Sequence, residues 1–376
     1  MKASRLQKKS PGTILFRSAV IFITVLILLL ATAYSVMWIL VNGPSPTARR
    51  LFVLSVKETS AAGFLADMYL SDAEIEEILG GSGNSIEEEE MDLSLISLPN
   101  RMEEETQKTE TSASDAPDSS KKPDQNVPAA AETESVVQET TQTAFEDDGI
   151  EVIDVEGSTY NGKLMIISDP SRVFVGVPDS YGENSSGLTV ASMIEKYDCI
   201  AGTNAGGFYD PNGSGTGGIP EGIVIYEGEL LWGELYGSYS LAGIDADGIL
   251  HVGLMTGQHA LDLGIQYAAS YGPALVINGK SAGGSYGLGG GLNPRTAIGQ
   301  RADGAILLLV INGRSIGSLG ATLDDLVEIM LNHGAVNASN LDGGSSSIMI
   351  LDGEFLTSSA YIFGERVVAT SILVRK

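Results

Sequence analysis

The run NPRTAIGQRADGAILLLVINGR, Asn293 to Arg314, decides how the C-terminal part of this chain must fold. Asp303-Gly304 at its centre is a pair suited to the positive φ angles of a tight turn, and the apolar stretch Ile306 to Ile311 that follows reads as a strand. Outward from it the same texture repeats. Asn161-Gly162, Asp247-Gly248, Asn278-Gly279, Asn312-Gly313 and Asp352-Gly353 punctuate short β-rich runs such as Ala274 to Ile277 and Ile348 to Leu351. These are hairpin signals, so antiparallel pairing should dominate. Helices should be few: one from near Thr189 to near Tyr197, one over about His259 to Ala269, and one over Leu323 to Asn332. In the last, Thr322 and Asp325 form a capping pair, Leu323, Leu326, Val327, Met330 and Leu331 share a face, and Gly334 closes the helix. The expected fold class is α+β, with a largely antiparallel or mixed β-sheet and a few helices, preceded by one transmembrane helix and a disordered acidic linker.

The N-terminal part has a different composition. Ser18 to Val41 holds 24 residues without a formal charge, which span roughly 36 Å as a helix and so cover a bilayer core. Lys2, Arg5, Lys8, Lys9 and Arg17 precede this span and only Arg49 and Arg50 follow it closely, so residues 1–17 are expected in the cytoplasm and everything after Val41 outside. The rival reading is a signal peptide cut after Ala31-Thr32-Ala33, but the apolar run continues through Trp38 to Leu40. Residues 42–80 read as a juxtamembrane helical segment, with Ser71 to Glu74 opening a short helix. Residues 81–150 carry 18 acidic against 4 basic side chains and few large apolar ones, the composition of a disordered tether. Residues 151–376 are then the working domain.

A formal net charge of -26 makes nucleic acid and anionic lipid surfaces poor partners. The single cysteine, Cys199, excludes an intrachain disulfide and reads as a buried structural thiol.

Four Gly-rich polar stretches border apolar strands, where binding loops are expected on a rigid scaffold: TNAGGFYD at 203–210, GGIPEG at 217–222, GLNPRTAIG at 291–299 and NLDGGSSS at 340–347. In the last, Asp342 is followed by Gly343 and Gly344, whose amides, with the hydroxyls of Ser345 to Ser347, form either an anion-binding nest or a plain turn capped by Asp342.

NAGGFYD, the PEG of residues 220–222, YGPALVINGK at 271–280, NPRTAIG and NLDGGSSS resemble, in this order, blocks of the phosphodiester glycosidase family. The resemblance covers roughly Ile153 to Val374. It implies hydrolysis of a glycosyl 1-phosphodiester in an extracellular or cell-envelope glycan; no cofactor is expected, no residue is assigned as a metal ligand, and a metal requirement is left open. Asn312 departs from the family's DGR pattern and is left out of the expected site. With that family in view, Arg295 is assigned to the phosphodiester, since its planar fork matches phosphate oxygens. Thr296 and the amides of Gly343 and Gly344 assist it. Asp342 is the favoured carboxylate for activating water or stabilising an oxocarbenium-like centre, and Glu221 is the second. Asn204 is assigned to a sugar hydroxyl or acetamido group, and Asn293 and Ser345 to substrate binding. The partners expected are this substrate and, through the N-terminal helix, a membrane. The competing reading is a surface glycan-binding protein that uses the same pocket without turnover.

Other patterns carry less. Gly213 to Gly218 matches a dinucleotide fingerprint but runs into Ile219-Pro220 where a helix is needed. Gly283 to Gly287 matches a nucleophile elbow without a following helix. His251, His259 and His333 lack metal-ligand spacing, and Asp245 to Gly248 reads as a hairpin, not a calcium loop.

Overall fold

The structure is a computed structural model that describes residues 11–59, 62–80, 90–98, 149–283, 290–361 and 364–376. Its C-terminal domain is built from three antiparallel sheets. The largest has the order β1 (Ile150–Glu156), β2 (Asn161–Ile167), β13 (Ile306–Ile311), β12 (Arg295–Arg301), β14 (Ala335–Leu341), β10 (Ala274–Ile277) and β11 (Lys280–Ser281). A second runs β16 (Glu354–Phe355), β15 (Met349–Leu351), β4 (Cys199–Asn204), β17 (Ser371–Arg375), β3 (Val173–Gly176). The third runs β6 (Glu229–Trp232), β5 (Val224–Tyr226), β9 (Ile265–Ser270), β7 (Ser238–Asp245), β8 (Leu250–Thr256).

β13 shows why the deciding run is apolar without alternation. Ile306, Leu308 and Val310 face a core shared with Val175, Ile372, Ile244 and Val252 of the other two sheets. Leu307, Leu309 and Ile311 point the other way, against Leu326 and Met330 of a helix. A strand covered on both faces has no polar side to show. That helix is Leu323–Asn332, with Thr322 and Asp325 in a reciprocal capping box as the sequence implies.

The hairpin signals divide. Asn278-Gly279 and Asp352-Gly353 adopt paired positive φ angles and turn β10 into β11 and β15 into β16. Asp247-Gly248 and Asp303-Gly304 also lie between paired strands. Asn161-Gly162 does not turn: both residues are in β2, paired with Glu156 and Val155. The glycine answers a packing need instead, because a Cβ there would stand 2.3 Å from the Val310 carbonyl oxygen. The helix expected over His259 to Ala269 ends early. A short helix covers Gly257–Asp262 and the chain then enters β9, whose Ile265, Ala268 and Ala269 are fully buried. Burial on the sheet there overrides the helix tendency of the alanines.

Toward the N-terminus, numbering helices along the chain, α1 (Pro11–Asn42) leads into α2 (Pro46–Lys57), α3 (Phe64–Asp67) and α4 (Asp72–Gly80). Val41, Val53, Ala66, Leu70 and Ile75 form a small core among them. Most of the acidic stretch lies outside the described residues. The part that is described, 90–98, is docked: Ile96 and Leu98 are buried, Asn278 donates to the Glu90 carbonyl, and the Ser97 amide donates to the Ala302 carbonyl. Apolar side chains in an acidic context are enough to pin this piece to the domain.

Because Leu308 is fully buried in the shared core, Leu308→Ala should cost roughly 2–5 kcal/mol of stability, read as a lowered thermal midpoint of the detergent-solubilised chain.

Candidate active site

The site is assembled at one end of β12 and β14. These strands are antiparallel with Thr296 opposite Leu341, and the residues next along, Arg295 and Asp342, both line one cavity at this end of the pair. The Asp342 amide donates to the Ala205 carbonyl, and the fully buried Asn204, at the end of β4, fixes the junction. Its Nδ2 donates to the Asp342 carbonyl at 2.5 Å, while its Oδ1 accepts from the Thr296 hydroxyl at 2.8 Å and the Ile348 amide at 3.2 Å. With these bonds made, Asn204 and Thr296 hold the site from beneath and do not line it.

Above them lies a cavity of about 360 Å³, lined among others by Asp342, Glu221, Arg295, Asn293, Gly343, Gly344 and Ser345. The Gly344 amide is committed to the Pro294 carbonyl at 2.8 Å, and the Gly343 amide donates to the Asp342 carboxyl, which lowers the pKa of that group. The Gly344 amide is thus already bonded within the protein. Burial pushes the Asp342 carboxyl up to about 7, against hydrogen bonds from Ser346 and Gly343 and the nearby Arg366 charge, and the Glu221 charge adds to the rise. Glu221 is itself raised, first by burial and then by Asp210.

Three guanidinium groups reach the same cavity. Arg295 is almost fully buried, with Nε donating to the Ala321 carbonyl and Nη2 to the Gly291 carbonyl. Arg366 pairs with Asp210, donates to the Ser345 hydroxyl at 3.0 Å, and lies over the Phe208 ring. Arg314 donates to two neutral acceptors, the Thr59 hydroxyl at 3.2 Å and Asn293 Oδ1 at 3.3 Å. Burial, then the Arg295 charge, lowers its pKa, with Arg366 acting in the same direction. Like charges crowded in a half-dry cavity favour an anion between them.

A segment from outside the domain fills part of this space. Glu58, just past α2, accepts from the Gly291 amide at 2.8 Å, Asn293 Nδ2 at 2.9 Å and Arg295 Nη2 at 2.6 Å. Ser55 accepts from the Leu292 amide at 2.8 Å. Gly291 permits this approach, since a Cβ there would stand 2.3 Å from the Ser55 nitrogen.

Sequence reasoning missed Glu58, Arg314, Arg366, Asp210 and Tyr271 as pocket residues. Asp210 and Tyr271 stood inside quoted motif blocks and Arg314 closed the deciding run, but Glu58 and Arg366 carried no signal. Of the features set aside, Cys199 is buried with its thiol pushed up to about 11 by burial, which makes it inert. His251 contacts Asp245 at 2.9 Å, and Asp245 caps the amides of Asp247 and Ile249 within the β7–β8 hairpin. Apart from Gly283, the elbow-like stretch lies outside the described residues.

Residues 197–375 match the family model for phosphodiester glycosidase. This domain is of that family. Its sequence is 29% identical over 190 residues to an SPbeta prophage-derived uncharacterized protein, YomE, of Bacillus subtilis (strain 168), a match over 48% of this chain and 28% of that protein. It is 37% identical over 62 residues to N-acetylglucosamine-1-phosphodiester alpha-N-acetylglucosaminidase of Bos taurus, over 16% of this chain and 12% of that protein. The chain thus spans less than a third of the length of either relative. Among solved structures, the zebrafish N-acetylglucosamine-1-phosphodiester alpha-N-acetylglucosaminidase catalytic domain, described as auto-inhibited by its pro-peptide, shares the fold. The TM-score is 0.50 at 18% identity, over 63% of this chain and 87% of that one.

The raised Asp342 carboxyl gives the phosphodiester glycosidase domain a pH signature. Between the usual 3.8 and about 7 the folded chain keeps a proton that the unfolded chain has lost, so stability falls as pH rises through that window. Thermal midpoints measured from pH 4 to 8 should fall less for Asp342→Asn than for the unaltered chain; parallel profiles would mean that Asp342 does not titrate there.

Proposed function

We propose that this chain hydrolyses a glycosyl 1-phosphodiester, releasing free sugar, in an extracellular or cell-envelope glycan. The observation that carries the reading is the setting of the Glu58 carboxylate. An amide, a side-chain NH2 and a guanidinium converge on its two oxygens, with Arg314 close by through Thr59. Such a donor set suits the non-bridging oxygens of a phosphodiester, for which a carboxylate is a fair stand-in.

In this reading the sugar C1 lies toward Asp342 and Glu221. Water attacks C1, the C1–O bond breaks with its electron pair leaving on the phosphate, and the proton of water passes to Asp342. The leaving phosphomonoester gains negative charge as the bond breaks, so Arg295, Arg314 and Arg366 bind it more strongly than the substrate diester, which lowers the barrier. A leaving group of this kind needs little protonation, so one ionised carboxylate is sufficient at its face of the sugar and Glu221 orients or assists. Two carboxyl groups raised by burial beside three guanidiniums are a costly arrangement for mere binding, which favours turnover over the glycan-binding alternative. The basic residues ahead of α1 support placing the domain outside the cytoplasm.

Glu58 must yield its place when a phosphodiester enters. The zebrafish catalytic domain, described as auto-inhibited by its pro-peptide, is a precedent for restraint by a segment of the same chain.

The test is to incubate the full chain with a panel of sugar 1-phosphodiesters and measure reducing sugar and phosphomonoester. Release of both is expected, with a rate that rises with pH through the titration of Asp342. Asp342→Asn should lower kcat by at least about 100-fold; full activity in that variant would remove Asp342 from the reaction. Arg314→Ala should lower kcat/KM by roughly 100-fold through lost phosphate stabilisation. Glu58→Ala should raise kcat/KM, since the competing carboxylate is gone, and an unchanged value would assign Glu58 to structure alone.

A further inference from the structure

We infer that the sugar phosphodiester taken by this pocket is carried on a membrane lipid, an inference that rests on the phosphodiester glycosidase reading above. The folded part of the molecule begins partway along the apolar helix. Tyr69 stacks beside Tyr34 with ring centroids 5.2 Å apart, and its hydroxyl donates to the Tyr34 carbonyl at 3.4 Å. Val41 joins the small core made with α2, α3 and α4. Residues 18–33 of the apolar helix, which carry no formal charge, are then what remains for the hydrocarbon layer, roughly 24 Å of helix, with Arg17 at the far end where its long side chain reaches the opposite interface. Tyr34 and Trp38, both about half exposed, stand at the level where aromatic side chains meet the headgroups.

The helical cluster next to Tyr34 therefore rests on the bilayer surface, and its side chains agree. Phe64 at the start of α3 and Met68 at its C-cap lie four residues apart and are 59% and 57% exposed, a pair of large apolar groups whose natural cover is the headgroup and upper acyl region. Ile316 is fully exposed and Leu319 is 55% exposed on the loop that follows Arg314, the residue that donates to Thr59.

The same cluster supplies a wall of the pocket. Ser55, Glu58 and Thr59 bond to Leu292, Gly291, Asn293 and Arg295, and Thr59 is only five residues from Phe64, at most about 18 Å of chain. The pocket is held within reach of the headgroup layer by the segment that leads out of the membrane. At about 360 Å³ it stands at the small end of ligand sites, the size for one sugar and its phosphate. A sugar whose C1 is joined through phosphate to a lipid alcohol presents that unit at this height while its hydrocarbon stays in the bilayer. Hydrolysis would join the water oxygen to C1, break C1–O, and leave a free sugar and a lipid phosphomonoester, with the proton on Asp342.

The experiment places the full chain in phosphatidylcholine vesicles. N-acetylglucosamine and glucose 1-phosphodiesters of hexadecanol, held in the same vesicles, are compared with the same headgroups esterified to methanol in solution. The expected result is a kcat/KM at least about tenfold higher for the hexadecyl esters, because enzyme and substrate share one surface. Phe64→Ser with Met68→Ser should reduce the hexadecyl rate toward the methyl rate and leave the methyl rate unchanged. Equal rates on the two esters, with free sugar from both, would overturn the lipid inference and leave the glycosidase reading standing. A lipid preference that the double variant does not diminish would overturn the role given to the α3 surface. No free sugar from either ester would remove both readings together.

Discussion

The site depends on one register. With Thr296 opposite Leu341 across β12 and β14, a guanidinium and a carboxylate that are 47 positions apart in sequence come to line one cavity. A slip of one residue would turn Arg295 into the core and Asp342 away from the cavity, because side chains alternate along a strand. The register is protected from both sides: β13 pairs with β12 from Arg295 to Gln300, and Asn204 clamps the Asp342 carbonyl, the Thr296 hydroxyl and the Ile348 amide with one buried side chain. Replacing such a side chain would leave several buried polar groups unsatisfied at once.

On that frame the cavity concentrates opposing charges. Asp210 answers Arg366 and Glu58 answers Arg295, whereas Arg314 has neutral partners and a pKa lowered by burial and by its cationic neighbours. The carboxyl of Asp342 sits among them with the proton affinity of a group near neutrality. In the proposed reaction, charges arranged this way make binding of a phosphate ester and handling of a proton two uses of the same electrostatic field, with Glu58 standing at the proposed anion position.

Much of this was legible in the residues. The Thr322 and Asp325 capping box, the two-sided apolar strand at Ile306 to Ile311 and the Asn278-Gly279 turn each follow from short-range stereochemistry, and each formed. The Gly-rich blocks marked Asp342, Glu221 and Arg295, which line one cavity. Asn204 and Thr296 bond to each other and to backbone near the site, which the sequence does not signal because a polar residue in a loop motif looks the same whether it faces substrate or clasps the loop. His259 to Ala269 misled because alanines suit a helix locally, and only the packing of β9 between β5 and β7 decides otherwise.

The sequence by itself determined the local, periodic features: an apolar span long enough for a bilayer, the turns, the caps and a domain of antiparallel strands. These rest on interactions between residues a few positions apart. Tertiary structure alone decided that Arg314 and Arg366 complete the cavity, that residues 90–98 are docked onto the domain, and that Glu58, just past α2, enters the pocket 237 positions before its partner Arg295. Such contacts are set by how whole sheets and helices pack, and no composition or spacing within a single segment records them.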